Sequence, residues 1–227
     1  MTDRLTGIKA CVFDAYGTLF DFNAAVARQR DAIGPQADRL SEMWRHKQIS
    51  YTWLRTLAGT YAPFWQVTGE ALDHCLEACG VTVPGIRDKL MAAYLELDPF
   101  PEVRGTLEAL RAGRMKTAIL SNGDPQMLSA VVRNAAFTSL FDALYSVDAV
   151  KTFKTDPRVY QLAVDGLGIA PHEICFLSSN GWDAHAAAHF GFQVCWINRA
   201  AAPRERLPGQ LARELTSLQP LPSLVLT

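Results

Sequence analysis

An α/β fold, a parallel sheet interrupted after its first strand by a helical insertion, is predicted by three features of the chain. An apolar run at residues 10–13, after Lys9, ends abruptly in Asp14 and a glycine turn at Gly17. Residues 20–98 hold almost no strand-like run. From Pro99 onward, helical and strand-like periods alternate.

Each element follows from local chemistry. Ala10-Cys11-Val12-Phe13 is a continuous apolar run, the pattern of a buried strand, which leaves Asp14 at its exposed carboxyl end. Open α/β sheets bind ligands in the crevice beyond the carboxyl ends of their strands, so a carboxylate there is badly located for stability and well located for chemistry. The competing reading is that Asp14 only caps the next helix. Residues 40–54 and 70–79 carry helical patterns, the second closed by Gly80. Helix, strand and helix follow at 106–113, 116–120 and from Asp124-Pro125, where proline suits a first helical turn. Further strands are predicted at 174–177 and 193–197, separated by helical segments as right-handed βαβ units require. The tail from Ala200, rich in Pro and Leu, reads as surface packing. The division that results is a core from residues 1–19 and 99–227 and a helical cap from 20–98.

Composition narrows the partners. A chain of 227 residues, 49% hydrophobic, is long enough for one large domain or for a core with a smaller inserted one. Its 22 basic and 23 acidic residues nearly balance, with no dense Lys/Arg run, so it carries no electrostatic footprint for nucleic acid or a membrane surface. A small molecule is the expected partner. Met1-Thr2-Asp3-Arg4-Leu5 lacks the apolar region of a signal peptide and no apolar segment is long enough to span a bilayer, so the cytoplasm is the expected location. Cys11, Cys175 and Cys195, in strand-like runs, read as buried free thiols. Cys75 and Cys79 beside His74 lack a fourth ligand at sensible spacing, and no metal is assigned to them.

The chemistry gathers at strand ends. Leu120-Ser121-Asn122-Gly123-Asp124-Pro125 again runs from a strand into a helix N-terminus, whose free N–H groups favour an anion, and Ser121 is expected to contact an anionic substrate group. In a turn of this kind Ser121 and Asn122 also read as simple turn and cap residues. Lys151 and Lys154 precede a helix opened by Pro157, and one of them is expected near Asp14. A cation is needed there. If the substrate is a carboxylate, two negative charges about 4 Å apart repel by roughly 4 kcal/mol at an effective dielectric near 20, enough to suppress binding more than a hundredfold.

Asp14-Ala15-Tyr16-Gly17-Thr18 resembles the first motif of the haloacid dehalogenase superfamily, whose members use the first Asp of Asp-x-x-x-Thr as a covalent nucleophile. Its phosphatases usually carry a second Asp two residues later as general acid, close to a required Mg²⁺. Here that position is Tyr16, whose phenol, with a pKa of about 10, replaces neither the acid nor the magnesium ligand. The substitution favours a leaving group that departs without a proton, as halide does. Trp44-Arg45, Ser121-Asn122-Gly123, Lys154 with Tyr160, and Ser178-Ser179-Asn180-Gly181-Trp182-Asp183 extend the likeness, and the chain is similar to the L-2-haloacid dehalogenases over nearly its whole length.

The resemblance implies a Rossmann-like core with an inserted helical cap, no cofactor, no metal, and a homodimer. It implies that Asp14 attacks C2 of a short L-2-haloalkanoate with inversion and expels halide, and that water then cleaves the resulting ester at the Asp14 carbonyl carbon. Arg45, Asn122 and Trp182 form the halide cradle, while Ser121 and Lys154 hold the substrate carboxylate. Thr18, Tyr160, Ser178 and Asn180 orient Asp14 and Lys154. Asp183 serves the hydrolytic water or anchors Lys154. Tyr16, His46, Ile49, Phe64 and Trp182 enclose the alkyl group, with His46 standing where the family often has an amide. Two other readings remain open: a Mg²⁺-dependent phosphatase or phosphonate hydrolase, and a catalytically silent binding protein on the same fold.

Overall fold

The computed structural model describes residues 4–226, so that Met1–Asp3, read above for a leader segment, lie outside the described residues. Strand β1 (Ala10–Phe13) is buried throughout, which is why its sequence is a continuous apolar run instead of an alternating one. Helices α1 (Ala24–Ala27), α2 (Arg30–Ile33), α3 (Ala37–Ala58), α4 (Phe64–Cys79) and α5 (Ile86–Ala93) follow before any second strand. Both α3 and α4 stop at glycines, Gly59 and Gly80, in the left-handed conformation that glycine adopts without penalty. The chain leaves and re-enters the sheet layer side by side. Asp21 N donates to Asp98 O at 2.9 Å and Phe100 N to Leu19 O at 3.0 Å, with a bridge between Phe20 and Pro99.

From there helix and strand alternate: α6 (Val103–Ala112), β2 (Lys116–Ser121), α7 (Pro125–Asn134), β3 (Ala143–Ser146), α8 (Pro157–Leu167), β4 (Ile174–Ser178), α9 (Gly181–Phe190), β5 (Gln193–Ile197), β6 (Arg213–Leu215) and α10 (Leu221–Val225). The six strands are ordered β3-β2-β1-β4-β5-β6, and the pairs are parallel. Strand order reverses between β1 and β4, which opens a crevice beyond their carboxyl ends.

Two strands lie outside the sequence expectation. β3 is short and only partly buried, so it shows neither a clean apolar run nor a clean alternation. The tail from Ala200 is more than surface packing: β6 pairs in parallel with β5, and Leu218, Leu221 and Leu224 of the tail are buried. The short paired edge is invisible to periodicity because three residues span too little of a repeat. No helix among the described residues is long and apolar enough to cross a membrane.

Candidate active site

Asp14 sits one residue past β1, 6% exposed, its N–H donating to Leu177 O of β4 at 2.8 Å. The turn behind it needs Gly17, whose φ is +92° and where a Cβ would come within 2.9 Å of Ser179 Oγ. Three donors hold the carboxylate. Lys154 Nζ reaches Oδ1 at 3.0 Å, while Thr18 Oγ1 and Asn180 Nδ2 reach Oδ2 at 3.1 and 3.0 Å. Lys154, 1% exposed, also donates to Asp183 Oδ2 at 2.8 Å, and Tyr160 Oη donates to Asp183 Oδ1 at 2.8 Å. Lys151 is exposed and pairs with Asp148 at 2.7 Å.

These contacts set the charges. Burial pulls the Lys154 ammonium down, but Asp14 and Asp183 outweigh it and hold it above the ordinary lysine range. Burial pushes the Asp183 carboxyl up; Lys154 opposes this and Asp14 adds to it, so Asp183 is a weaker acid than a free aspartate. Tyr160 is pushed well above 10 by burial and by Asp183. Burial does the same to Tyr16, whose hydroxyl is enclosed with no hydrogen-bond partner among the described residues.

The space above Asp14 is a small chamber walled by Tyr16, Arg45, Ile49, Phe64, Ser121, Asn122, Asn180 and Trp182. Its free volume is about 10 Å³, roughly the room one water needs. Arg45 descends into it from α3, with Nη2 donating to Asn180 Oδ1 at 3.1 Å and its guanidinium stacked 4.7 Å over the Phe22 ring. Ser121 Oγ accepts from Gly123 N at 3.1 Å, which leaves its O–H free to donate. Asn122 Oδ1 accepts from Lys154 N at 3.0 Å, so one turn braces the other.

Several residues stand differently from their expected places. His46 is exposed and faces an outer cavity of about 700 Å³ instead of the chamber. Successive helical residues point about 100° apart. With Arg45 aimed inward, Ile49, four residues on, shares its face and His46 does not. Tyr160 braces Asp183 and reaches Lys154 only through it. Ser178 Oγ accepts from Asn180 N at 3.2 Å and acts on Asp14 only through that turn. Asp183 is fully buried behind Lys154 and forms no part of the chamber wall.

Sequence reasoning missed Gln48. Its Oε1 accepts from Arg45 Nη1 at 2.9 Å and Tyr94 Oη at 3.2 Å, and its Nε2 donates to Thr68 Oγ1 at 2.8 Å, so a buried amide aims the arginine. The signal was present as a polar residue three positions after Arg45 on one helical face. Ser179, to which sequence reasoning gives no role, donates its N–H to Thr18 Oγ1 at 2.8 Å.

A family model described as haloacid dehalogenase-like hydrolase matches residues 8–191. (S)-2-haloacid dehalogenase 1 of Pseudomonas sp. (strain CBS-3) is 48% identical over 220 residues, 96% of this chain and 97% of its own length. The crystal structure of a dehalogenase superposes with a TM-score of 0.96 at 43% identity, covering 98% of this chain and 99% of that one. The L-2-haloacid dehalogenase of Xanthobacter autotrophicus, solved with chloropropionic acid covalently bound, superposes with a TM-score of 0.88 at 38% identity, covering 96% of this chain and 98% of that one.

Proposed function

The chain belongs to the haloacid dehalogenase-like hydrolases, and within them to the (S)-2-haloacid dehalogenases, and we propose that it hydrolyses short L-2-haloalkanoates to 2-hydroxyalkanoates and halide through an ester on Asp14. One observation carries the assignment of roles. The chamber wall holds a single carboxylate, Asp14, facing a guanidinium, and no acid that could protonate a leaving group. Halide needs none.

Asp14 Oδ2 already accepts from Thr18 and Asn180, which fills its two lone-pair directions, whereas Oδ1 accepts only from Lys154. Oδ1 keeps an open lone pair and is the attacking atom. The third N–H of Lys154 and the free O–H of Ser121 take the substrate carboxylate, offsetting its repulsion from Asp14. As the C2–halogen bond breaks, its electron pair leaves with the halide, where Arg45, Asn122 and the unpartnered Tyr16 hydroxyl supply donors beside Trp182. Arg45→Ala is expected to lower kcat/KM by about 10²–10³-fold, the cost of losing one transition-state donor. The loss should be greater for chloro than for bromo substrates, because chloride is the poorer leaving group; paired rate measurements check this.

Water then attacks the Asp14 carbonyl carbon. As the bond from that carbon to Oδ1 breaks, the departing alkoxide takes a proton from Lys154 Nζ, 3.0 Å from Oδ1, which regains one from Asp183 at 2.8 Å, giving the hydroxy acid. Asp183 accepts the water's proton, and its raised pKa suits a base. Since it lies behind Lys154, the water must approach from the lysine side. Asp183→Asn is expected to accumulate the ester, seen as a mass increase of the intact protein after one turnover; if Asp183 only anchors Lys154, alkylation and hydrolysis slow together and no ester builds up. In the wild type the acid limb of hydrolysis is expected above the pH at which a free aspartate protonates, about 3.9, because the base must be ionised and burial opposes that.

In this reading residues 20–98 form a cap hinged where Asp21 and Phe100 pair with Asp98 and Leu19, over a core of 1–19 and 99–227. Exposed Trp53, Leu54 and Leu57 on α3 support a homodimer through that face. Five buried free cysteines support a reducing compartment, the cytoplasm. The deciding measurement is halide release from L-2-chloropropionate and chloroacetate with a chelator present and D-2-chloropropionate as control. Release from the L form alone of the pair is the expected result. Silence with both L-2-chloropropionate and chloroacetate, together with Mg²⁺-dependent phosphate release, would overturn it.

A further inference from the structure

Two helices begin on one carboxylate. Asp124 is the N-cap of α7, where its Oδ1 accepts from Met127 N at 3.1 Å, the third residue of that helix. Its other oxygen, Oδ2, accepts from Trp65 N at 3.0 Å, the second residue of α4. The N-cap position of α4 is Pro63, which has no side-chain acceptor, so a residue 59 positions away supplies the missing one. Asp124 is 8% exposed, and both helix dipoles favour its charge.

The consequence falls on Phe64. It is the first residue of α4, fully buried, and lines the chamber with Asp14, its ring 6.1 Å from that of Tyr16 and 6.2 Å from that of Phe153. The same stretch of the insertion is tied to the loop after β3: Tyr61 Oη donates to Asp148 at 2.8 Å and Phe153 N to Thr56 Oγ1 at 3.3 Å. Those ties hold the approach to α4, while the Asp124 bond holds its first turn.

We propose that Asp124 is a positioning residue that fixes Phe64 as a stiff wall against the alkyl group of the haloacid and thereby sets the chain lengths the chamber accepts. This rests on the haloacid reading of the chamber. A rigid apolar wall discriminates about tenfold or more per methylene, whereas a wall that can retreat does not. Freeing the first turn of α4 lets Phe64 retreat.

Asp124→Ser and Asp124→Asn separate this role from simple capping. Both residues are strong N-caps and preserve the start of α7. Neither offers a second acceptor oxygen, so Trp65 N–H loses its partner in both. The measurements are kcat/KM for chloroacetate and L-2-chlorobutyrate, and hydrogen exchange at the amides of residues 65–67. In both variants the chlorobutyrate-to-chloroacetate ratio is expected to rise at least about threefold, part of the discrimination one methylene carries, with faster exchange at Trp65. A residue that merely stabilises the fold would slow both substrates alike and leave the ratio unmoved. If the wild type releases halide from both acids and the variants keep its ratio, or if exchange at Trp65 is unchanged, the inference falls and the functional reading stands. If the wild type releases halide from neither, the functional reading falls and this inference with it.

Discussion

Asp14→Asn is expected to cut dehalogenation by about four to six orders of magnitude, the scale seen when a covalent nucleophile is removed from its working group, while the protein still folds. The amide has the shape of the carboxylate and its oxygen can still accept a hydrogen bond, but it cannot form the ester. Folding survives because Lys154 keeps Asp183 as partner at 2.8 Å. A thermal midpoint close to wild type with halide release at background is the expected pair of results; turnover at the wild-type rate would remove Asp14 from its role. A second measurement identifies the bond that water breaks. After a single turnover in ¹⁸O water the heavy atom is expected in the Asp14 carboxylate and not in the hydroxy acid, because water attacks the carbonyl carbon and the product oxygen comes from Asp14 itself.

Lys154→Met is expected to do more damage to stability than any other single change in the site. Lys154 is 1% exposed and donates to Asp14 at 3.0 Å and to Asp183 at 2.8 Å. Removing it leaves two carboxylates in a space that burial has already made unfavourable for charge. Breaking a buried ion pair from one side costs about 3–5 kcal/mol, on the order of 10 °C in Tm for a chain of this size. Activity should vanish as well, since the substrate carboxylate loses its cation.

The pH dependence has a definite sign. In the variant Asp183, which burial pushes up, loses the lysine that opposes that rise and titrates further above the unfolded value of about 3.9, so its penalty is absent below that pH and grows as pH rises through its folded pKa. The stability gap to wild type should therefore narrow on acidification and widen toward neutrality. A gap that is constant with pH would mean that the lysine contributes packing and not charge.

Much of this molecule is legible in its residues because the signals are local. A buried strand followed by a carboxylate and a glycine turn, Pro157 and Pro125 at first helical turns, and Gly80 closing α4 all act within a few residues of where they are read. The short edge strand β6 and the half-exposed β3 escaped because their periods are too brief to count. Gln48 escaped for a different cause. A buried amide looks like any polar helical residue until the helix that covers it is known.

By itself, the sequence determined the order of the elements, the carboxylate at the end of β1, and the residue types that gather at the strand ends. Only the tertiary structure decided which of those groups meet. Lys154 stands between Asp14, 140 residues away, and Asp183, 29 residues away. Tyr160 turns to Asp183, His46 turns outward, and one carboxylate at Asp124 starts two helices. The physical reason is range. Propensities and caps act over a turn or two of chain, whereas a partner across the chamber is chosen by how helices and strands pack together, a balance summed over the whole core.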